Sequence, residues 1–404
     1  MWCVVNDRDY YFNELVLNMM ACYFNKMTML SNLVLAISLF LSSATWANSD
    51  EFVLETFDGE TTFGGQIDFP KNCYRSQYKT AILVAGTGLY YRNAYLGLSG
   101  TERDYVFKDL AKRLNQKCIA VVRYDYRGVK CDIDEKGKVD TCLDQKVRRS
   151  VDAQTIIDDI QAVYDHALSH KKVDSSEIVF LGHSEGSLNI SRLWDRGTIK
   201  PKGLVFIGGM TESPKSLIRW QFIDRSVDQA FAMDTDGNGI LTNWEVTLGY
   251  PGSFFEENDI PILNLLSPTG MWNRWGLHQF YALEYSTVVN ATMLSPGYLP
   301  YIQKGITYSS LAWWKKWFTD SEPVVEKLVD FEGPITYFNG SNDIQAPGEK
   351  QQEFLKNYAH RMTSPPEFNL IEGKGHLLSN HPLYGPIDED LVNRVINSIV
   401  KSFN

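Results

Sequence analysis

The chain has 404 residues, a formal net charge of −10 at pH 7, and 44% hydrophobic and 22% charged residues. Its length predicts two domains, or one large domain with an insertion, and its composition is that of a globular protein with a substantial core. A surface that binds nucleic acid needs clustered Lys and Arg, and no such run occurs in the sequence. Nucleic acid is therefore excluded as an expected partner.

An apolar stretch near the N-terminus has the features of a secretory signal peptide. Residues 30–41, LSNLVLAISLFL, follow Lys26, and Thr45 and Ala47 suit a cleavage site after Ala47. The stretch is shorter than the ~20 residues of a membrane span. We therefore expect residues 1–47 to be an N-terminal extension and signal peptide, with no stable membrane span, and the mature protein to be periplasmic or extracellular. Acidic residues within 1–26 predict a later start, at Met27, Met29 or a nearby Met.

Four cysteines remain after the predicted cleavage site, and an even number in an exported protein is compatible with disulfides. Cys131 and Cys142 bracket a polar loop that a disulfide could close, and Cys73 and Cys118 each precede a predicted strand. Free buried thiols are the alternative. The sequence leaves the pairing open.

Predicted strands and helices alternate over residues 48–212. The strands are expected at residues 51–57, 62–69, 80–85, 119–124, 177–181 and 203–207, and the helices at residues 105–114, 151–169 and 184–194. Such alternation is typical of a parallel sheet with helices on both faces.

The alternation stops at residue 213 and resumes near residue 323. Strands are then expected at residues 334–338 and 367–371, and helices at residues 349–360 and from about Asp388. The fold class expected is α/β, with a doubly wound, mostly parallel sheet formed by residues 48–212 and 323–404. Residues 213–322 are predicted to be an inserted, mainly helical cap domain. We find no internal repeats in the sequence.

The segment Gly182-His183-Ser184-Glu185-Gly186 has the pattern G-x-S-x-G, between a predicted strand and a predicted helix. In that context the pattern forms a sharp turn that projects the serine hydroxyl above the sheet, and a Cβ at either glycine would collide with backbone. The following helix directs its N-terminus at developing negative charge. Ser184 is therefore the predicted nucleophile, and a purely structural turn is the alternative.

A serine hydroxyl needs a general base, and we predict His376, which follows the last strand between small residues. His381 is a weaker candidate, and His166 and His170 lie on a predicted surface helix. The base in turn needs an acid that fixes its tautomer.

Asp343, in the loop after the strand that precedes the histidine-bearing one, is the predicted acid, because it gives the chain order Ser, Asp, His. Glu212, after an earlier strand, is the alternative acid. Two backbone N–H groups should bind the oxyanion. We expect them from Glu185 and from Thr87, with Gly88 as the alternative to Thr87.

These residues resemble the α/β-hydrolase superfamily over nearly all of residues 51–404. The segments AGTGLYYRN, FKDLAKRL…IAVVRYDYRG and GHSEGS resemble bacterial carboxylesterases related to serine aminopeptidases. In that group the first segment reads more like G-S-G-x-x-D-R-D, whereas residues 90–93 here are Tyr-Tyr-Arg-Asn. The resemblance implies the α/β-hydrolase fold and cleavage of a carboxylic ester. A serine nucleophile argues against dehalogenases and epoxide hydrolases, which use Asp.

Residues 234–245, DTDGNGILTNWE, match the twelve-residue EF-hand calcium loop. Gly239 permits the sharp turn, and the pattern predicts one structural Ca²⁺, with the alternative of a polar turn. Because the loop is far in sequence from the predicted triad, we expect the metal to affect cap order and substrate binding more than acyl chemistry. The predicted ligands are Asp234, Asp236, Asn238, Ile240 through its carbonyl, Thr242 and Glu245.

Tryptophans crowd the predicted cap. Most are expected to form its core, and at least two could line an apolar pocket over Ser184. They are Trp220, Trp244, Trp272, Trp275, Trp313, Trp314 and Trp317.

The sequence supports a serine hydrolase that acts on a small-molecule ester or peptide. A serine aminopeptidase-type peptidase or amidase is the main alternative, with Glu256, Glu257 and Asp259 available to bind a free amine. A thioesterase is a further alternative. An intact serine, histidine and acid argue against a non-catalytic calcium-dependent binding protein.

Overall fold

The computed structural model describes residues 48–133 and 139–404. The predicted signal peptide, residues 1–47, lies outside the described residues, and residues 49–404 form one compact unit. None of the helices in this described part is both long and apolar enough to cross a membrane.

An eight-stranded sheet forms the centre of this unit, with strand order β1-β2-β4-β3-β5-β6-β11-β12. The strands, in chain order, are β1 Asn48–Glu55, β2 Thr62–Phe69, β3 Tyr78–Val84, β4 Ala120–Tyr124, β5 Val173–His183, β6 Gly203–Ile207, β7 Ile240–Thr242, β8 Met271–Asn273, β9 Pro300–Gln303, β10 Ile306–Ser310, β11 Ile335–Gly340 and β12 Glu367–Ile371.

Helices cover the sheet and form most of the segment between β6 and β11. The α-helices are α1 Val106–Gln116, α2 Val139–Cys142, α3 Gln145–Arg148, α4 Ala153–Ser169, α5 Glu185–Asp195, α6 Pro214–Phe222, α7 Asp224–Phe231, α8 Asn243–Gly249, α9 Phe254–Glu257, α10 Arg274–Leu294, α11 Leu311–Thr319, α12 Gly348–Tyr358 and α13 Glu389–Lys401. Short 3-10 helices lie at Glu102–Asp104, Ile262–Asn264, Val324–Leu328 and Ala359–Arg361.

The sheet is parallel from β4 to β12, and only β2 is seen to pair antiparallel, with β4. Every residue of β4, β6 and β11 is buried, as expected for parallel strands covered by helices on both faces. Parallel register brings the carboxyl ends of β5, β6, β11 and β12 to one edge of the sheet. The prediction of a doubly wound, mostly parallel sheet is confirmed.

The chain leaves the sheet after β6 and returns at β11, and we call the residues between these strands the insertion. It is mainly helical, with two small antiparallel sheets, β7–β8 and β9–β10. Its first two helices, α6 and α7, are separated by a turn of the backbone at Ile223 (φ −104°, ψ −71°).

Two apolar clusters organise the insertion. One lies around the predicted calcium loop and contains Ile223, Leu241, Val246 and Leu277. The other joins the insertion to the sheet. It includes Leu217, Trp313 and Trp317 from the insertion and Leu188 and Met210 from the core.

Two disulfides are formed, Cys73–Cys118 and Cys131–Cys142. The second closes the polar loop, as the spacing suggested, and the first ties the segment before β3 to the turn before β4. The alternative of free buried thiols is wrong.

The two disulfides are expected to stabilise the fold unequally, because a cross-link restricts the unfolded chain more when it closes a longer loop. The sequence separations are 45 and 11 residues. Replacing Cys73 and Cys118 with Ala should lower the free energy of unfolding by about 4 kcal/mol, against about 3 kcal/mol for Cys131 and Cys142. Denaturant titration measures both, and the reverse order would contradict the prediction.

Candidate active site

Ser184 stands on a strained turn between β5 and α5. Its backbone has φ 55° and ψ −123°, a conformation rare for a residue with a side chain. At Gly186, a Cβ would lie 2.4 Å from the carbonyl oxygen of Val84 on the neighbouring strand. The glycine is therefore required by close backbone approach, as expected for a nucleophile elbow.

The predicted base and acid meet at the carboxyl edge of the sheet. His376 Nδ1 lies 2.7 Å from Asp343 Oδ2, and both side chains are buried. The other oxygen, Asp343 Oδ1, accepts the backbone N–H groups of Gln345 (2.7 Å) and Ala346 (2.9 Å). Asp343 follows β11 and His376 follows β12, so the register of two neighbouring strands brings them together. The chain has the α/β-hydrolase fold.

Space for the imidazole depends on a glycine after β6. A Cβ on Gly208 would lie 2.7 Å from His376 Nδ1, and the residue has φ 56°. Any larger residue at position 208 would displace the ring from Asp343.

The alternative acid and base have other partners. Glu212 accepts hydrogen bonds from Gln351 and Ser216 and lies 2.9 Å from Lys350 Nζ. The ring nitrogen Nδ1 of His381 accepts the backbone N–H groups of residues 383 and 384. Neither residue takes part in the Asp343–His376 pair.

Ser184 and His376 open on one cavity of about 380 Å³. Within the described part of the chain, no direct hydrogen bond joins Ser184 Oγ to His376. Such contacts commonly shorten only when substrate binds. The shared cavity gives both groups access to the same small molecule.

The predicted oxyanion donors, Thr87 and Glu185, are linked by their side chains. Thr87 Oγ1 donates to Glu185 Oε2 at 2.7 Å. Both residues line the cavity, and their backbone N–H groups have no protein acceptor in the described part of the chain. Tyr126 stabilises the loop that carries Thr87, because its hydroxyl donates to the carbonyls of Ala85 (2.6 Å) and Gly86 (3.1 Å).

Residues 90–93, which differ from the pattern of the carboxylesterases that the sequence resembles, still fix the end of the loop that carries Thr87. Arg92 forms a two-armed ion pair with the buried Asp125, through Nε (2.9 Å) and Nη2 (2.7 Å). Bidentate Arg–carboxylate pairs fix geometry as well as charge. Residues 90–93 are thereby tied to the end of β4.

The side chain of Glu185 accepts hydrogen bonds from the insertion that the sequence did not predict. Trp313 Nε1 donates to Glu185 Oε1 at 2.9 Å and Trp317 Nε1 at 3.3 Å, both from α11 of the insertion. Burial raises the pKa of Glu185, while the hydrogen bond from Thr87 acts in the opposite direction. A buried carboxylate beside Ser184 therefore joins the turn after β5, the loop that carries Thr87 and the insertion.

The insertion supplies much of the cavity wall. Three of the tryptophans singled out in the sequence, Trp313, Trp314 and Trp317, line the cavity. Trp244 and Trp275 are instead exposed. Apolar walls are also provided by Leu217, Ile218, Met210, Ile156 and Leu383.

The predicted calcium loop brings three carboxylates together. Asp234, Asp236 and Glu245 each have an oxygen within 4.8 Å of the others. Glu245 Oε2 accepts from the N–H and hydroxyl of Thr242, which lowers the pKa of Glu245. Asp234 Oδ1 is buried without a hydrogen-bond partner. The carbonyl of Ile240 and the side chain of Asn238 belong to the same loop.

A second loop, residues 265–276, lies against the calcium-type loop. Strands β7 and β8 pair antiparallel, with Leu241 opposite Trp272. The two segments share features at a constant spacing of 31 residues, which the sequence analysis missed because few identities remain. The matching pairs are Gly239 and Gly270, Leu241 and Trp272, Trp244 and Trp275, Val246 and Leu277, and Tyr250 and Tyr281.

The second loop lacks the carboxylates of the first. Leu265, Ser267, Thr269 and Gly276 occupy the positions of Asp234, Asp236, Asn238 and Glu245. Hydrogen bonds hold it instead: Ser267 exchanges two with the side chain of Asn243, at 2.7 and 3.0 Å.

Comparison with known proteins finds solved structures of low sequence identity. No family model and no curated protein sequence matches the chain. An α/β-hydrolase, GrgF from Penicillium sp. sh18, is 16% identical with a TM-score of 0.46, covering 88% of this chain and 99% of that one. Est1E from Butyrivibrio proteoclasticus, with ferulic acid bound, is 16% identical with a TM-score of 0.46, covering 85% and 96%.

A monoacylglycerol lipase from Paleococcus ferrophilus is 14% identical with a TM-score of 0.43, covering 89% of this chain and 100% of that one. The strand order and the elbow carry the fold assignment. The activities of these neighbours remain properties of those proteins.

His183, beside Ser184, is expected to make stability depend on pH. Its ring is buried without a partner for either nitrogen, 5.0 Å from the ring of His376. Burial, and then the charge of His376, lowers the pKa of His183 well below its usual value. The unfolded chain therefore takes up a proton first as pH falls. The stabilisation is complete above about pH 6.5 and is lost on acidification below it.

Replacing His183 with Leu should flatten the loss of stability between about pH 7 and about pH 5. The loss attributable to this residue is at most about 1.4 kcal/mol per pH unit. Melting temperatures across this range measure the effect, with His360→Leu, a change at an exposed histidine, as the control. A variant with the wild-type pH slope would contradict the prediction.

Proposed function

We propose that the protein is a serine hydrolase that cleaves a carboxylic ester through an acyl-enzyme. The observation that carries this proposal is the convergence of the strained Ser184 and the hydrogen-bonded Asp343–His376 pair on one cavity. A strained backbone held at a cavity wall is typical of functional sites.

In the proposed mechanism, His376 accepts the proton of Ser184 Oγ as the hydroxyl attacks the ester carbonyl. Asp343 stabilises the imidazolium that forms and holds Nδ1 protonated, so that Nε2 is free to act as base. The same proton is then donated to the leaving alcohol. Water, activated by His376, hydrolyses the acyl-enzyme in the second half of the reaction.

The oxyanion of each tetrahedral intermediate is proposed to bind the N–H groups of Thr87 and Glu185. Such donors act most strongly when they are fixed before the reaction. The hydrogen bond between the two side chains at 2.7 Å keeps their spacing constant.

The cavity favours an ester over a peptide with a free amino terminus. Glu185 is the one carboxylate among its described lining residues, and its oxygens are bonded to Thr87, Trp313 and Trp317. The acidic residues 256, 257 and 259 do not line the cavity, and Asp259 pairs with Lys304. A free ammonium group would therefore lack a partner. Thioesters remain compatible with the same chemistry.

A panel of p-nitrophenyl esters and aminoacyl-p-nitroanilides tests the proposal. We expect turnover of esters, none of anilides, and loss of turnover in Ser184→Ala with an unchanged melting temperature. Asp343→Asn should lower kcat by about 10⁴-fold through the wrong imidazole tautomer. Glu212→Gln is the matched control, since Glu212 is a buried carboxylate outside the pair, and should stay within about threefold. Activity that survives Ser184→Ala would refute the assignment.

We further propose that residues 234–245 bind one structural Ca²⁺. The buried oxygen Oδ1 of Asp234 fits this, because a buried polar atom without a hydrogen bond is costly and a cation would satisfy it. The oxygen-rich ligand set suits a hard cation. The proposed ligands are Asp234, Asp236, Asn238, Ile240, Thr242 and Glu245. The bound ion would neutralise the negative charge of the carboxylates in the loop.

We also propose that the protein acts outside the cytoplasm. The two disulfides support this, because such bonds persist in oxidising compartments. The signal-peptide pattern of residues 1–47 adds a sequence argument.

Calcium should raise the melting temperature of the purified protein, and excess chelator should lower it. Binding to the folded state alone contributes about 2.7 kcal/mol when calcium is 100-fold above its dissociation constant. Glu245→Gln should mimic chelation, whereas Glu257→Gln, outside the loop, should not. Calorimetry should give one ion per chain. No binding at millimolar calcium would show that the loop is only a polar turn.

A further inference from the structure

Arg225 lies in the first turn of α7 and reaches from the insertion to the loop that carries the predicted acid. Its Nη1 donates to the carbonyl of Ile344 at 3.1 Å and to Gln345 Oε1 at 3.2 Å. Its Nε donates to the carbonyl of Gln221 at 3.2 Å. Ile344 and Gln345 are the two residues that follow Asp343.

The loop contacted by Arg225 orients Asp343. The N–H groups of Gln345 and Ala346 bind Asp343 Oδ1, which turns Oδ2 towards His376 Nδ1. Gln221 Nε2 adds a bond to the carbonyl of Gln345 at 2.8 Å. Two residues of the insertion therefore fix the backbone on which the acid depends.

The guanidinium is held without a carboxylate in contact within the described residues. It lies 5.1 Å from the ring centre of Phe254 in α9, and burial lowers the pKa of Arg225 to about 10, while the charge of Asp343 acts in the opposite direction. Backbone carbonyls are its main partners, so displacement of α7 would break its hydrogen bonds to the loop after Asp343.

The other end of α7 leads directly into the calcium-type loop. Helix α7 has eight residues, its last residue is Phe231, and the N–H of Asp234 donates to the carbonyl of Phe231 at 3.2 Å. A helix this short is not stable alone. Its order therefore depends on packing, since Val227 and Ala230 are buried in the same apolar cluster as Leu241 of the calcium-type loop, and on the contacts at its two ends.

We propose that Arg225 is a positioning residue for Asp343, and that it couples occupancy of the loop 234–245 to the Asp343–His376 pair. The coupling rests on the proposed function and on the proposed calcium site. An ordered α7 presents Arg225 to Ile344 and Gln345, and a frayed α7 releases the acid loop. The calcium-type loop is far in sequence from Asp343, and for that reason the sequence predicted an effect mainly on substrate binding. The contacts of Arg225 connect the two loops in space. Loss of calcium should therefore lower kcat.

The first test is Arg225→Met, with Arg361→Met as the matched control. Arg361 likewise has its guanidinium over an aromatic ring, Tyr358, at 5.4 Å, but it pairs with Glu326 on the surface, and these partners belong neither to α7 nor to the loop after Asp343. Arg225→Met should lower kcat between roughly tenfold and roughly 100-fold, with a smaller change in KM. Arg361→Met should change neither. Arg225→Lys, which keeps the charge and one donor, should recover part of the activity.

The second test is independent of turnover. The Nδ1 proton of His376, hydrogen-bonded to Asp343, gives a strongly deshielded NMR signal that Asp343→Asn would remove. Chelator should shift or broaden this signal in wild type and in Arg361→Met. In Arg225→Met the signal should already be altered, and chelator should change it no further, although the melting temperature still falls.

The third test uses reciprocity, because coupling between two sites must be equal in both directions. A reversible arylboronic acid that bonds to Ser184 should tighten calcium binding in wild type by the factor by which calcium tightens boronate binding. In Arg225→Met both factors should approach one.

Wild-type kcat in Arg225→Met, or a full calcium effect on its NMR signal, would overturn the proposal. If Arg225→Met does not fold, the proposal is overturned by a wild-type kcat and a wild-type calcium response in Arg225→Lys. If the wild-type protein hydrolyses no ester, the proposed function fails, and the NMR signal still tests the link to Asp343. If it binds no calcium, the coupling fails, and kcat still tests the positioning of the acid by Arg225.

Discussion

Parallel pairing of β5, β6, β11 and β12 is the constraint on which the site depends. Each strand ends at the same edge, so the elbow, Gly208, the acid loop and the histidine loop meet there without a long connection. Ser184 is held in a strained backbone conformation, and His376 is positioned by a glycine and a hydrogen bond. The buried interior of the sheet resists the relaxation of this strain.

The insertion is part of the site and not merely a cover. A buried carboxylate, Glu185, accepts two indole N–H groups from α11 and the hydroxyl of Thr87. Buried charges persist only when they are hydrogen-bonded. Removal of α11 would therefore leave an unsatisfied group beside Ser184. The insertion cannot be exchanged freely, because the turn that carries Ser184 shares these hydrogen bonds with it.

Much of this arrangement could be predicted from the sequence. Local patterns were sufficient for the core. Apolar runs predicted the strands, the glycines around Ser184 predicted the turn, and the chain order predicted the pairing of Asp343 with His376. The strand boundaries agree within a few residues. Contacts between distant segments could not be predicted, since no pattern at Glu185 indicates Trp313, and none at Arg225 indicates Ile344. The repeat around Gly239 and Gly270 was missed because its carboxylates are not repeated, and it became visible only through the pairing of β7 with β8.

That pairing gives the insertion a local twofold axis between Leu241 and Trp272. Equivalent positions face one another across it, as in the contact between identical subunits of a dimer. The two halves are chemically unequal. The half with Ser267 is held by hydrogen bonds to Asn243 of the other half, whereas the half with Asp234 brings three carboxylates close together. A cation bound in the half with Asp234 would order that half against a second half that is already formed. The entropy cost of ordering the paired loops would therefore be shared between the two halves.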